Sequence, residues 1–457
     1  MSDLRHTESN AVRWILKPHG VVAVSVIFVA AVLLLNLIVR LIYKHVVRFD
    51  WPVFWPLGMF LPRRPAPYQV ALAIILLLLF YIVIRLLQRT AYNLRSVIGT
   101  AVVLLLATNL LQGWEGGFVT PIAGGGARGI QCYHDAINVE SALEFVRHFE
   151  EKQQDLLTHS RTHPPGAVLS IYFLHRITGT PAATALVIAC LSAVLSMLFL
   201  HGILAAELGE GTGSRYTTLL YMLVPAIQIY FAACIDALIS GFLLGALYCI
   251  MHRRASIGII GAFVCICLAS FMTFGFLFIL PVIVITELIR TRRFVRSAIT
   301  IALLAVFYGI VDRTVGFNYL ASFATAASLE NPNGFMLFAD PASYIFTRLE
   351  SAFEIIVFFG PFLILIAVRG FRSMRGTGSP LLVITAVALV TIAAMLLTGA
   401  FRTGETARCC LFVYPYLLFP VAWFMGRCTL TQREETVLIL VVYAQSVFMQ
   451  LFGNYFW

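Results

Sequence analysis

The chain has 457 residues, of which 60% are hydrophobic and only 12% charged, and its net charge is +10. With a mean hydropathy of +0.89, that excludes a soluble globular domain and indicates a polytopic membrane protein. The surplus arginines do not indicate nucleic acid. They fall in short clusters between apolar runs, where they set topology and meet anionic headgroups.

In lipid the backbone must satisfy its own hydrogen bonds, so long apolar runs without strand alternation read as helices. The expected fold class is an all-α, polytopic transmembrane bundle whose outer loop carries interfacial helices. Apolar runs occur at 20–43, 68–87, 97–113, 182–206, 215–231, 237–251, 257–273, 276–290, 297–312, 351–368, 380–398, 409–426 and 435–452. The length criterion makes that about thirteen spans. The first run is too long for a signal-peptide core and reads as a retained span. The resulting organisation is 1–113 N-terminal helices, 114–181 outer loop, 182–312 central bundle, 313–350 second outer loop and 351–457 C-terminal helices. No internal repeat is visible.

Arginine and lysine asymmetry sets the orientation. With the N-terminus cytoplasmic, the clusters at Arg85/Arg89/Arg95, Arg253/Arg254, Arg290 to Arg296, Arg369/Arg372/Arg375 and Arg427/Arg433 fall inside. The polar stretch 124–166, Asp236, the segment 313–350 and the stretch 401–408 fall outside. The first hairpin is the exception, since Lys44, Arg48, Arg63 and Arg64 fall outside too. Residues 166–178 are short for a span. They are expected to form an interfacial or re-entrant helix that returns to the outer surface, with a tilted span as the alternative.

Within 124–166, Gly124, Gly126 and Gly129 match a dinucleotide pattern, but no strand precedes them, so a flexible turn is expected. Their N–H groups with Arg128 could form an anion nest. Next comes Tyr133-His134-Asp135. From 136 to 152, Val139, Ala142, Leu143, Val146 and Phe149 recur at helical spacing, opposite Glu140, Glu144, Arg147, His148 and Glu151. This predicts one amphipathic helix lying on the membrane surface. Asp135 at its start is either an N-cap or a functional carboxylate. His163-Pro164-Pro165-Gly166 opens the next helix, and the two prolines fix the approach of His163.

Asp236 sits between two apolar runs, a position that is functional or capping. Arg402, Glu405 and Arg408 follow one another at three-residue spacing. They form either an ion-pair ladder or a phosphate clamp, for which arginine's bidentate fork is suited. The nine cysteines (132, 190, 234, 249, 265, 267, 409, 410 and 428) show no metal-site or disulfide spacing and read as small buried side chains.

The acidic residue in a large outer loop, the surface helix, the histidine–proline–proline entry, Asp236 after Pro225 to Tyr230 and the Gly404 to Arg408 stretch together resemble the GT-C membrane glycosyltransferases. That superfamily includes the lipid A aminoarabinose transferases and the protein O-mannosyltransferases. The likeness is best from about 114 to 290. It implies transfer of a sugar from a polyprenyl-phosphate donor to a lipid, glycan or protein acceptor at the extracytoplasmic face of a bacterial plasma membrane, with inversion. Asp135 would be the base. Tyr133, His134, Glu140, His163, Asp236, Arg402, Glu405 and Arg408 would bind substrate. The loop carries His134-Asp135 where the family often has an acidic pair, which leaves a divalent metal open. The alternative reading is a transporter or flippase of a lipid-linked or anionic substrate.

Overall fold

The computed structural model describes residues 11–46, 54–58, 60–124, 131–232, 234–399, 401, 405–427 and 430–455. It is an all-α membrane protein. The helices of ten or more residues are α1 Pro18–Val46, α2 Pro67–Arg89, α3 Leu94–Asn109, α4 Gly166–Thr178, α5 Pro181–Leu208, α6 Thr212–Leu223, α7 Ile235–Ile250 and α8 Ala255–Met272. They continue with α9 Ile279–Thr291, α10 Val295–Val315, α11 Tyr319–Glu330, α12 Pro341–Phe359, α13 Pro361–Met374, α14 Pro380–Leu397, α15 Tyr414–Met425 and α16 Gln432–Phe452. One two-residue ribbon pairs Leu61–Pro62 antiparallel with Gly453–Asn454.

Among the described residues, nine helical segments are long and apolar enough to cross a membrane, or ten if the bent pair α12–α13 is one span. The expected thirteen is therefore not reached. The run at 215–231 breaks at Val224-Pro225, because proline supplies no N–H and clashes with the preceding turn. The runs at 237–251 and 409–426 form only short apolar helices. The run at 351–368 bends by 99° at Gly360-Pro361, where Gly360 has φ +94°.

Helix register follows from the close approaches at glycine. Gly241 faces Leu195 and Ser196, Gly245 faces Phe199, and Gly202 faces Tyr248, so α5 and α7 run parallel. Gly245 also faces Cys265, and Gly261 faces Cys249, so α8 runs antiparallel to α7. In that register, about the first two turns of α5 project past the start of α7. Gly166, which opens α4, packs on the Phe271 backbone at the end of α8, and Thr178 at its other end bonds Thr184 of α5 at 2.7 Å. The helix α4 thus begins and ends at the same end of the bundle, forming a hairpin with the start of α5.

The bundle has two chemically different ends. At one, Arg296 donates to the His252 carbonyl, Arg290 pairs with Glu207, Gln88 donates to the Gln432 carbonyl and Arg215 reaches the Ala91 carbonyl. This end collects the basic clusters. The other end collects the loop 131–166, the start of α7, the segment 316–340 and residues 405–410. Arg63 belongs there too, donating to the Leu111 carbonyl at 3.2 Å, whereas Arg48 lies outside the described residues.

The amphipathic helix expected over 136–152 is not continuous. It forms three short helices, Tyr133–Ile137, Ala142–Arg147 and Phe149–Lys152. Asn138 ends the first, its amide donating to the His134 carbonyl at 2.8 Å. Ser141 caps the second by accepting from the Glu144 N–H at 3.4 Å. Asn and Ser compete for local backbone bonds, and here that local chemistry prevails over periodicity. Phe145, Val146 and Phe149 are buried, but Leu143 is exposed.

Candidate active site

At the loop end, polar residues from four separate stretches of chain close around a cavity of about 20 Å³. Gln131, Cys132, His159, His163, Cys234, Asp236 and Arg408 supply its polar wall. That volume is about enough for a single water. Arg408, on the short helix Thr406–Cys409, and Asp236, in the first turn of α7, are both buried, each 9% exposed.

Arg408 organises the cluster. It pairs with Glu405, approaches Asp236 at 3.9 Å and lies 3.3 Å from His159 Nε2. Burial opposes its charge, but the carboxylates of Glu405 and Asp236 outweigh this and hold the guanidinium protonated. The Cys234 thiol donates to Asp236 at 2.6 Å. Asp236 does not cap α7, since the N-cap is Cys234 with no side-chain bond. It lies in the first turn, where a carboxylate suits the helix dipole.

His163 has a defined tautomer. Its Nδ1 lies 2.7 Å from the His159 carbonyl oxygen. A carbonyl only accepts, so Nδ1 carries the proton and Nε2 keeps its lone pair. Burial lowers the pKa of both histidines, and Arg408 pushes in the same direction, so both are neutral at pH 7. Burial also pushes the Cys132 thiol up to about 12, so it is no nucleophile.

The sequence-predicted residues divide into three groups. His163, Asp236 and Arg408 meet at the cavity, with Glu405 paired to Arg408. Tyr133, His134, Asp135 and Glu140 do not line it. Asp135 is not an N-cap: it lies within the helix Tyr133–Ile137, whose N-cap is Cys132. Its Oδ2 accepts the Leu157 N–H at 3.0 Å, joining the two arms of the loop. It lies three residues after Cys132, which does line the cavity. Tyr133 bonds His175 of α4 at 3.1 Å, His134 bonds the Ala123 carbonyl at 3.0 Å, and Glu140 is exposed at the helix break. Arg402 lies outside the described residues, as do Gly126, Arg128, Gly129 and Cys428.

Compared with protein-family models, with curated proteins and with solved structures, the chain matches none. The chemistry of the cavity therefore rests on its own residues.

Sequence reasoning missed two participants. His159 precedes His163 by four residues, one helical turn, and that spacing was legible. Glu354 was not. It sits mid-run on α12, is 2% exposed and accepts the Ala407 N–H at 3.2 Å, securing the backbone that carries Arg408. Its neighbour Glu350 is fully buried, and neither carboxylate oxygen has a hydrogen-bond partner. Among the described residues, no three His, Cys, Asp or Glu side chains are arranged to hold a metal ion.

Proposed function

We propose that the chain is a membrane glycosyltransferase that moves a sugar from a polyprenyl-phosphate donor to a lipid, glycan or protein acceptor, with inversion. The observation that carries this reading is the convergence of Arg408, Asp236 and the neutral His163 at one end of the bundle, beneath the loop that holds Asp135. A transporter is expected to place such groups near mid-bilayer. The positive-inside rule puts this end on the extracytoplasmic face, opposite the arginine clusters, and a bacterial plasma membrane is the setting proposed.

In this reading Asp135 takes the proton from an acceptor hydroxyl. The acceptor oxygen forms a bond to the anomeric carbon from the face opposite the phosphate, and the carbon–oxygen bond to the phosphate breaks. The leaving polyprenyl phosphate keeps the electron pair and its negative charge. Arg408, with Arg402 as its proposed partner, neutralises that charge, and such stabilisation of a developing anion is usually the largest catalytic term. The Nε2 lone pair of His163 accepts from a sugar hydroxyl and orients it. Tyr133, His134 and Glu140 are proposed acceptor-side contacts, while Asp236 and Glu405 hold Arg408.

One observation favours a second reading as a flippase of a lipid-linked or anionic substrate. The 99° break between α12 and α13 is a discontinuous helix of the kind transporters use. Reconstituted protein given a radiolabelled polyprenyl-phosphate sugar and a mixed acceptor pool separates the two. Label in a new covalent product supports the transferase; label that only crosses the liposome supports the flippase.

A further inference from the structure

A groove of about 580 Å³ runs along α13 between α12, α14 and α15, on the flank of the bundle. Ile364, Ala367, Leu389, Ile392 and Leu417 give it an aliphatic wall. Two cations, Arg372 and Arg375, close one end. Both are exposed, and no described carboxylate pairs with either. Arg375 is braced over the Phe371 ring at 5.8 Å. This is the end of the bundle that collects the basic clusters.

The other end is closed by α12. Ala352, Ile355, Ile356 and Phe359 face the groove. Glu354, on the opposite side of that helix, faces Ala407. The helix therefore stands between the groove and the Arg408 cavity. A lipid whose phosphate sits at Arg408 would have to pass around α12 to lay its chain here. Among the described residues, the lining at the opposite end is Arg372 and Arg375.

We propose that the groove is a binding site for an anionic glycerophospholipid. Its phosphate sits on Arg372 and Arg375, and one acyl chain runs along α13 toward α12. The 14 residues of α13 rise roughly 21 Å at 1.5 Å each, more than the roughly 15 Å of one hydrocarbon leaflet, so a whole chain fits. Basic pockets between helices at the cytoplasmic side recognise anionic headgroups in this way. The inference is independent of the glycosyltransferase reading.

The test titrates the full chain in neutral detergent with phosphatidylglycerol or phosphatidylcholine of identical acyl chains, read by native mass spectrometry. Phosphatidylglycerol is expected to bind roughly tenfold or more tightly, the scale of two surface arginines acting on an anionic lipid. Replacing both arginines (Arg372→Gln with Arg375→Gln) is expected to abolish that preference, and Ala367→Trp to weaken both lipids. Equal binding of the two lipids to the unaltered chain overturns the proposal. So does a phosphatidylglycerol preference that survives in the double variant. So does competition by polyprenyl phosphate that is as strong without the arginines as with them, which would make the groove the donor's tail site.

Discussion

Arg408 Nη2 lies 3.3 Å from His159 Nε2. A guanidinium has only donors, so His159 accepts and carries its proton on Nδ1. The carbonyl of the same residue takes the Nδ1 proton of His163. One buried cation thus fixes the tautomer of His159, which must stay neutral to accept from Arg408, whereas the His163 bond to a backbone carbonyl does not depend on that cation.

This makes stability depend on pH. Both histidines titrate in the folded state below the ordinary value of 6.5: burial is the largest cause for each, Arg408 adds to it, and Asp236 opposes it at His163. Asp236, Glu330 and Arg408 are the charged groups acting on His163, and Arg408 acts on His159. The unfolded chain therefore binds more protons between the folded and unfolded values. The stabilisation is present above about pH 6.5 and is lost as pH falls through the folded values. The expected Tm in detergent is flat from about pH 8 to 7 and drops below about 6.5. Replacing both histidines by glutamine should flatten the acid limb.

Breaking the cation's pairing is expected to be severe. Arg408→Ala leaves Asp236 and Glu405 without their arginine, and removing one partner of a buried pair costs about 3–5 kcal/mol. Adding Asp236→Asn to that variant should recover part of the loss, since it removes one of the stranded charges. Thermal unfolding of the four proteins in a double-mutant cycle measures the coupling; strict additivity would mean that Arg408 and Asp236 do not interact.

Gly166 is held by contact rather than by dihedral angle. A Cβ there would overlap the Phe271 carbonyl and ring. Gly166→Ala should cost about 1–3 kcal/mol through overpacking. It should also shift His163, lowering the proposed transfer activity more than a surface substitution of similar Tm effect. Equal activity at permissive temperature would show that His163 keeps its position without this close approach.

Glu350 is expected to respond in the opposite sense. Both carboxyl oxygens are buried without a hydrogen bond, and burying polar atoms without partners is costly. Glu350→Leu should raise stability by on the order of 1 kcal/mol, since it removes those unpaired atoms. Measured Tm decides; a fall of several degrees would reveal a dependence on the carboxyl group itself.

How far the sequence could be read differs by feature. Membrane class and helix content followed from composition, and the separation of arginine clusters from the 124–166 loop followed from charge placement. Exact spans did not, because Val224-Pro225 and Gly360-Pro361 break runs that a length count treats as whole. Asn138 and Ser141 broke the surface helix through local hydrogen bonds that a hydrophobic period does not register. Meeting points were the least legible. Asp236 and Arg408 stand 172 positions apart, and nothing in either neighbourhood announces the contact. Glu354 hides within an apolar run because its role is to hold the Ala407 N–H from the far side.

Asp135 is the proposed base for sugar transfer. Asn can still accept the Leu157 N–H with its side-chain oxygen, so Asp135→Asn separates chemistry from structure. Transfer from a radiolabelled polyprenyl-phosphate sugar by the reconstituted variant is the direct measurement. Activity is expected to fall by about 10²-fold or more, in the range general-base catalysis supplies, with Tm close to that of the unaltered protein. Undiminished transfer by a correctly folded Asp135→Asn protein would contradict it.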